Sequence, residues 1–117
     1  MRGDAVLRYR DGKTERVQLQ EADIEQQLFH VTRDNGVAAD VPFGILKAVF
    51  FPRTEAEPET ASGSTISVEF ADGEVIRGMA HYNPERNGFF LYPLDRSKND
   101  KVFVVNSAIV SIEVEKL

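Results

Sequence analysis

A strand-like alternation that runs into Asp-Gly, with a second apolar stretch after it, occurs twice in this chain. It reads LRYRDGKTERV at residues 7–17 and VEFADGEVIRG at residues 68–78. Asp-Gly between alternating apolar residues signals a hairpin, because a type I′ turn needs positive φ at both central positions. Ile66, Val68 and Phe70 alternate with Ser67, Glu69 and Ala71, the period of a strand with one buried face. The two Asp residues, Asp11 and Asp72, lie 61 positions apart (72 − 11). At that spacing Leu7 and Tyr9 match Val68 and Phe70. The inward residues agree and charged residues point outward in both copies.

The correspondence continues along the chain. LFHVT at residues 28–32 meets GFFLY at 88–92 at a spacing of 60, which aligns Phe29 and Val31 with Phe89 and Leu91. VPFGILKAVFF at 41–51 meets VVNSAIVSIEV at 104–114 at a spacing of 63. The drift follows a longer loop, DRSKND at 95–100 against RDNG at 33–36. Each copy thus reads as five short strands with hairpins at Asp-Gly and at the second loop. A short non-strand piece, PFGIL or NSAIV, precedes the last strand. Asn106 and Ser107 suit the start of a helical turn, and so few residues follow that one 3₁₀ turn is expected.

The expected fold is therefore all-β: two tandem five-stranded small barrels of the SH3-like or Sm-like kind, each with a 3₁₀ turn before its last strand. Closing the sheet protects its edges. Residues 1–51 form the first barrel and 65–117 the second. Residues 52–64, with Pro52, Pro58, Ser62, Gly63 and three Glu, read as a solvated acidic linker. Units this small are marginal alone, so the copies are expected to pack together. The stretch QEADIEQQ at 20–27 breaks the symmetry: it reads either as one or two helical turns or as an extended loop, whereas its counterpart HYNPERN at 81–87 must be a loop because of Pro84 and Asn87-Gly88.

Composition narrows the function. The net charge of −5 makes a general nucleic-acid binder an unfavoured reading, since such proteins need a basic face. There is no cysteine, which removes disulfides, thiolate catalysis and Cys-type zinc sites and suits a reducing cytoplasm. The start MRGDAVLRYRDG has no apolar signal-peptide core, and no apolar run approaches the ~20 residues of a membrane span. A soluble cytoplasmic protein is expected. His30 and His81 are the two histidines, with no metal-ligand spacing. No nucleophile elbow or phosphate loop is present, and the Asp residues sit where turns need them. The expectation is a protein without enzymatic activity, cofactor or metal.

Outward aromatics are the better clue. Phe50 aligns with Glu113, Phe90 with His30 and Tyr92 with Thr32, while Phe103 alternates with Val102 and Val104. A contiguous apolar patch on a small protein marks an interface. These four and Tyr82 are the candidate partner-binding residues. They either cement the copies together or meet a partner, whether another protein or a second copy in a homodimer.

Arg77-Gly78, Asn83-Pro84, residues 89–93 and 102–104 together resemble a family of small bacterial domains of unknown function. Phe29-His30-Val31, Val41-Pro42 and residues 46–51 are similar to a sister pattern. Arg-Gly and Asn-Pro steps are absent from the corresponding positions of the first copy. The resemblance implies a non-catalytic accessory module, and extends to RomX-like polarity and motility proteins, for which a response regulator or a small GTPase is the implied partner. The resulting expectation is a protein-interaction or regulatory adaptor in bacterial cytoplasmic signalling, in motility or cell polarity. The alternative is an Sm-like or SH3-like RNA binder that stacks bases on Tyr82, Phe90 and Tyr92.

Overall fold

The structure, a computed structural model, describes residues 3–54 and 61–115. Ten strands account for most of them: β1 (Gly3–Tyr9), β2 (Thr14–Asp23), β3 (Leu28–Arg33), β4 (Ala38–Pro42), β5 (Leu46–Pro52), β6 (Ser64–Phe70), β7 (Val75–Ala80), β8 (Gly88–Pro93), β9 (Asn99–Val105) and β10 (Ile109–Val114). One-turn 3₁₀ helices, Phe43–Ile45 and Asn106–Ala108, precede β5 and β10. Residues 20–23 belong to β2 and 24–27 turn, so the ambiguous QEADIEQQ is neither helix nor wholly loop. Of the expected linker, Glu55, Glu57, Pro58 and Glu59 lie outside the described residues.

All-β architecture is met, but the two tandem barrels are not what forms. The ten antiparallel strands make one sheet in the order β10-β6-β7-β8-β9-β5-β1-β2-β3-β4, with β10 and β4 as free edges, and it is not closed into a barrel. Each half has the same local order, the last strand beside the first, then the rest in sequence. The physical reason lies in the edges. β5 and β9 would each end a separate unit with unpaired backbone groups. Instead they pair with each other from Ala48↔Val104 to Pro52↔Asn99, which satisfies those groups across the two halves.

The hairpins also differ from type I′. Asp11 and Asp72 are absent from the residues of positive φ, whereas Gly12 (φ 94°), Gly36 (φ 83°) and Gly73 (φ 88°) are among them. In each case the glycine N–H donates to a carbonyl three residues back: Tyr9, Arg33 and Phe70 at 3.1, 2.8 and 2.9 Å. This is a type I turn closed by a left-handed glycine, the three-residue hairpin solution. The residue before each glycine locks it through its own side chain. Asp11 Oδ1, Asn35 Oδ1 and Asp72 Oδ1 accept the backbone N–H two residues on, at 2.9, 3.0 and 3.0 Å. The second 3₁₀ turn likewise lacks the expected side-chain cap. Asn106 instead donates its amide to the carbonyls of Asn83 (3.1 Å) and Arg86 (2.5 Å), tying down the loop before β8.

Alternation then builds two cores. Leu7, Leu19, Phe29, Val31, Val41, Phe43, Leu46 and Val49 fill the first; Ile66, Val68, Phe70, Ala80, Phe89 and Leu91 fill the second. The cores trade residues across the β5·β9 ladder. Phe103 and Val105 of β9 enter the first core, while Ala48 and Phe50 of β5 enter the second. Phe103 meets Phe29 edge-to-face at 5.3 Å and Phe43 at 5.5 Å. β5 is buried from Leu46 to Phe51, the signature of a strand covered on both faces.

Polar contacts border the seam. The Lys47 side chain is 8% exposed, and its ammonium reaches Asp72 at 2.7 Å and Glu74 at 2.6 Å. It also lies 4.7 Å above the Phe70 ring. The hydrogen bond from Lys47, with a second from the Glu74 N–H, holds the Asp72 carboxyl below the usual range. Arg8 contacts Glu74 at 3.1 Å and stacks 4.4 Å over Phe50. Arg10 donates to Leu46 O at 2.9 Å and to Ser107 Oγ at 2.5 Å.

Phe50→Glu places a carboxylate at a position that is 8% exposed. The isolated protein should lose about 2–4 kcal/mol in urea unfolding, with Arg8 offsetting part of a larger penalty. Phe103→Ala should cost about 3–5 kcal/mol. A midpoint unchanged in both variants would show that the halves do not meet through these rings.

At the free β4 edge, His30 Nδ1 lies 2.5 Å from Asp40 Oδ1. This hydrogen bond raises the His30 pKa above its ordinary 6.5. The pair therefore contributes stability that is fully present below pH about 6.5 and fades as pH rises through the raised folded value. An NMR titration should find His30 above 6.5 and should move it back toward 6.5 in Asp40→Asn. No movement in that variant would remove Asp40 as the cause.

Candidate functional site

β8 runs past the end of the seam with alternate side chains on opposite faces. Phe89 and Leu91 point into the second core, while Phe90 and Tyr92 point away and stay half-exposed. Phe90 lies against two rings of the seam, Phe103 at 5.2 Å and Phe51 at 6.1 Å. The loop at 81–87 rises beside β8 and brings Tyr82 edge-to-face on Phe89 at 5.4 Å. Gly88 lets these layers approach: a Cβ there would stand 2.4 Å from the Phe103 ring. The result is a groove of about 550 Å³ with Phe89 and Phe103 in its floor and Tyr82, Phe90 and Tyr92 on its walls. Its size falls within the ~300–1,000 Å³ of ligand clefts.

The groove crosses from one half to the other. Ile24, in the turn after β2, closes its far end. Asn87 Nδ2 donates to the Ile24 carbonyl at 2.9 Å and fixes the two loops together. His81 and Ser62 stand at the rim with Nε2 and Oγ 3.0 Å apart. Arg86 lies beside them, on the loop held by Asn106. Cations also flank the aromatic wall, with Lys101 Nζ 5.0 Å over Phe90 and the Arg96 guanidinium 5.4 Å over Tyr92.

Four of the five sequence candidates, Tyr82, Phe90, Tyr92 and Phe103, therefore meet in one place. The fifth, Phe50, lies on the other side of the ladder in the second core. Arg86, His81 and Ile24 were not among the candidates. The loop signal Asn83-Pro84 to Asn87-Gly88 pointed at the segment carrying Arg86. Nothing in sequence places Ile24 there, since it arrives from the other half.

A second cleft, of about 510 Å³ beside the β1–β2 hairpin, is lined by Tyr9, Arg10, Asp11, Lys13, Gly44 and Ile45. Its Lys13 and Asp11 pair with each other at 3.9 Å, and it has one ring, that of Tyr9. Nearby, Tyr9 donates its hydroxyl to Glu15 Oε1 at 2.6 Å. Burial first, then that bond, push its pKa up to about 12. Arg33 clasps the same carboxylate at 2.7 Å, so the network is internally satisfied. Among the described residues no group of three or more His, Cys, Asp or Glu could hold a metal ion. No helix there is long and apolar enough to cross a membrane.

No curated protein and no solved structure matches this chain. A family model does match, over residues 1–116, nearly the whole sequence: the chain belongs to a family of unknown function, DUF6982.

Proposed function

We propose that this chain is a non-catalytic protein-interaction module, an adaptor that holds a segment of a partner protein in the groove across its seam. The observation that carries the reading is the convergence of Tyr82, Phe90 and Tyr92 on one groove, above Phe89 and Phe103. Half-exposed aromatic rings on a rigid floor offer large contact area at little entropic cost, as binding hot spots do. One strand, β8, positions both Phe90 and Tyr92, so this part of the wall is formed before a ligand arrives.

The finer fold reading belongs to the same proposal. Five strands with the last beside the first, and a 3₁₀ turn before the last, follow the SH3-like and Sm-like small-barrel pattern. In this reading the two halves descend from one such unit and have fused edge to edge. A cytoplasmic signalling role, in polarity or motility, is the setting that the sequence resemblance favours. RNA binding is the rival, because cations stack on the same rings. The test below separates the two.

Peptides selected from a random display library against the whole chain are titrated into ¹⁵N-labelled protein. Shift changes should concentrate in 81–92 and at Ile24. Tyr92→Ala should weaken binding at least tenfold with only a modest fall in melting temperature, since its ring is half-buried and its main neighbour is the Arg96 guanidinium. A uridine oligomer should bind weakly and lose that binding between 50 and 200 mM salt, roughly, as phosphate contacts do. Perturbations elsewhere on the sheet, or an oligomer bound more tightly than any peptide, would overturn the reading.

A further inference from the structure

We infer that the groove selects an extended partner segment in which a carboxylate stands next to a large apolar side chain. This rests on the protein-binding reading above and adds the chemistry of the occupant. The chain as a whole is acidic, with 19 Asp and Glu against 14 Lys and Arg. The groove reverses that balance. Among the described residues no carboxylate lines it, whereas Arg86 does.

Arg86 is the centre of the inference. Among the described residues its guanidinium makes no ion pair, in contrast to Arg8, Arg33 and Arg77, which all have carboxylate partners. Its backbone is nevertheless fixed. Asn106 holds the Arg86 carbonyl at 2.5 Å, and the Arg86 N–H donates to Asn83 O at 3.1 Å. The loop therefore carries a planar, permanently charged fork at the rim, and such a fork matches a carboxylate in two parallel hydrogen bonds. Tyr82, Phe90 and Tyr92 supply the apolar half of the recognition a short distance away. A segment that satisfied only the rings would leave the cation idle. One carrying only acid would bind at the surface and be screened by salt.

Groove and seam share Phe103, so an occupant would also press the two halves together. Binding should accordingly raise the unfolding temperature of the whole chain.

Three capped hexapeptides test this on the intact protein by calorimetry: alternating Glu and Phe, alternating Lys and Phe, and alternating Glu and Ser. The Glu–Phe peptide should bind at least tenfold more tightly than either control and should raise the melting temperature. Arg86→Glu should invert the order of the first two peptides while the free protein melts as before, because this side chain is exposed. Arg86→Lys should keep the order with reduced affinity, as a point charge replaces the fork. Equal binding of Glu–Phe and Lys–Phe peptides would overturn the acidic preference yet leave the protein-binding reading standing. If none of the three binds, while library-selected peptides map to 81–92, the occupant chemistry inferred here is wrong. If library peptides also map elsewhere, both readings fall together.

Discussion

The pairing of β5 with β9 is the constraint on which the rest of the molecule depends. A small five-stranded unit has too little interior to bury both faces of its strands. Joined edge to edge, the halves turn their outermost strands into central ones. β5 then places Leu46, Val49 and Phe51 in one core and Ala48 and Phe50 in the other. β9 does the reverse, with Val102 and Val104 in the second core and Phe103 and Val105 in the first. Neither core is complete without a strand of the other half. Each of these large residues removes apolar surface worth about 1.5–3 kcal/mol, a substantial part of the 5–15 kcal/mol or so by which a domain is stable.

The β10 edge differs from the edge at which the halves join. The outer face of β1 and β5 carries Val6, Ala48 and Phe50, and the second half packs on it. The corresponding positions on β6 and β10 are Ser67, Ser111 and Glu113, paired in the same registers: Val6↔Phe50 and Ser67↔Glu113, Arg8↔Ala48 and Glu69↔Ser111. A third unit added there would desolvate Glu69 and Glu113 without a partner, a penalty no edge pairing offsets. The other free edge has changed in step. At Phe103's counterpart stands Asp40, bonded to His30, and at Val105's stands Pro42, which has no N–H to give. Aromatic packing tells the same story. Phe29 receives its edge-to-face partner, Phe103, from the other half, whereas Phe89 receives Tyr82 from its own loop.

Strand content, local order and both 3₁₀ turns were legible in the sequence because they rest on short-range rules. Alternation fixes which residues of Ile66, Val68 and Phe70 turn inward, and glycine marks where the chain reverses. The turn type is not legible because Asp-Gly serves two hairpin geometries, and the choice depends on which residue takes positive φ. Separate closed barrels were expected because sequence shows that an edge must be protected without showing by what. Phe50 and Phe103 were readable as outward-facing aromatics, and their outwardness was real within each half. That they face each other's cores follows from the β5·β9 register, a contact between residues about fifty positions apart that no local pattern encodes. Arg86 is not legible in the sequence for a related reason: a single arginine in a polar loop gains meaning only from the rings beside it.

The groove is a by-product of that asymmetric join. Phe103 must leave its own half to fill the first core, and Gly88 makes room for its ring in passing. The strand beside it is left with Phe90 and Tyr92 turned outward. Had β9 ended the sheet as β4 does, Phe103 would have been exposed and would have needed a charge in its place, as Asp40 shows. The rings that form the candidate site are thus the continuation of the rings that hold the halves together. Their half-exposed state persists because the inner members, Phe103 and Phe89, anchor the cluster at a depth where substitution would cost several kcal/mol. A binding surface of this kind is coupled to stability at its floor and free to vary at its rim. Specificity would therefore reside in Tyr82, Arg86 and Tyr92 rather than in the buried rings beneath them.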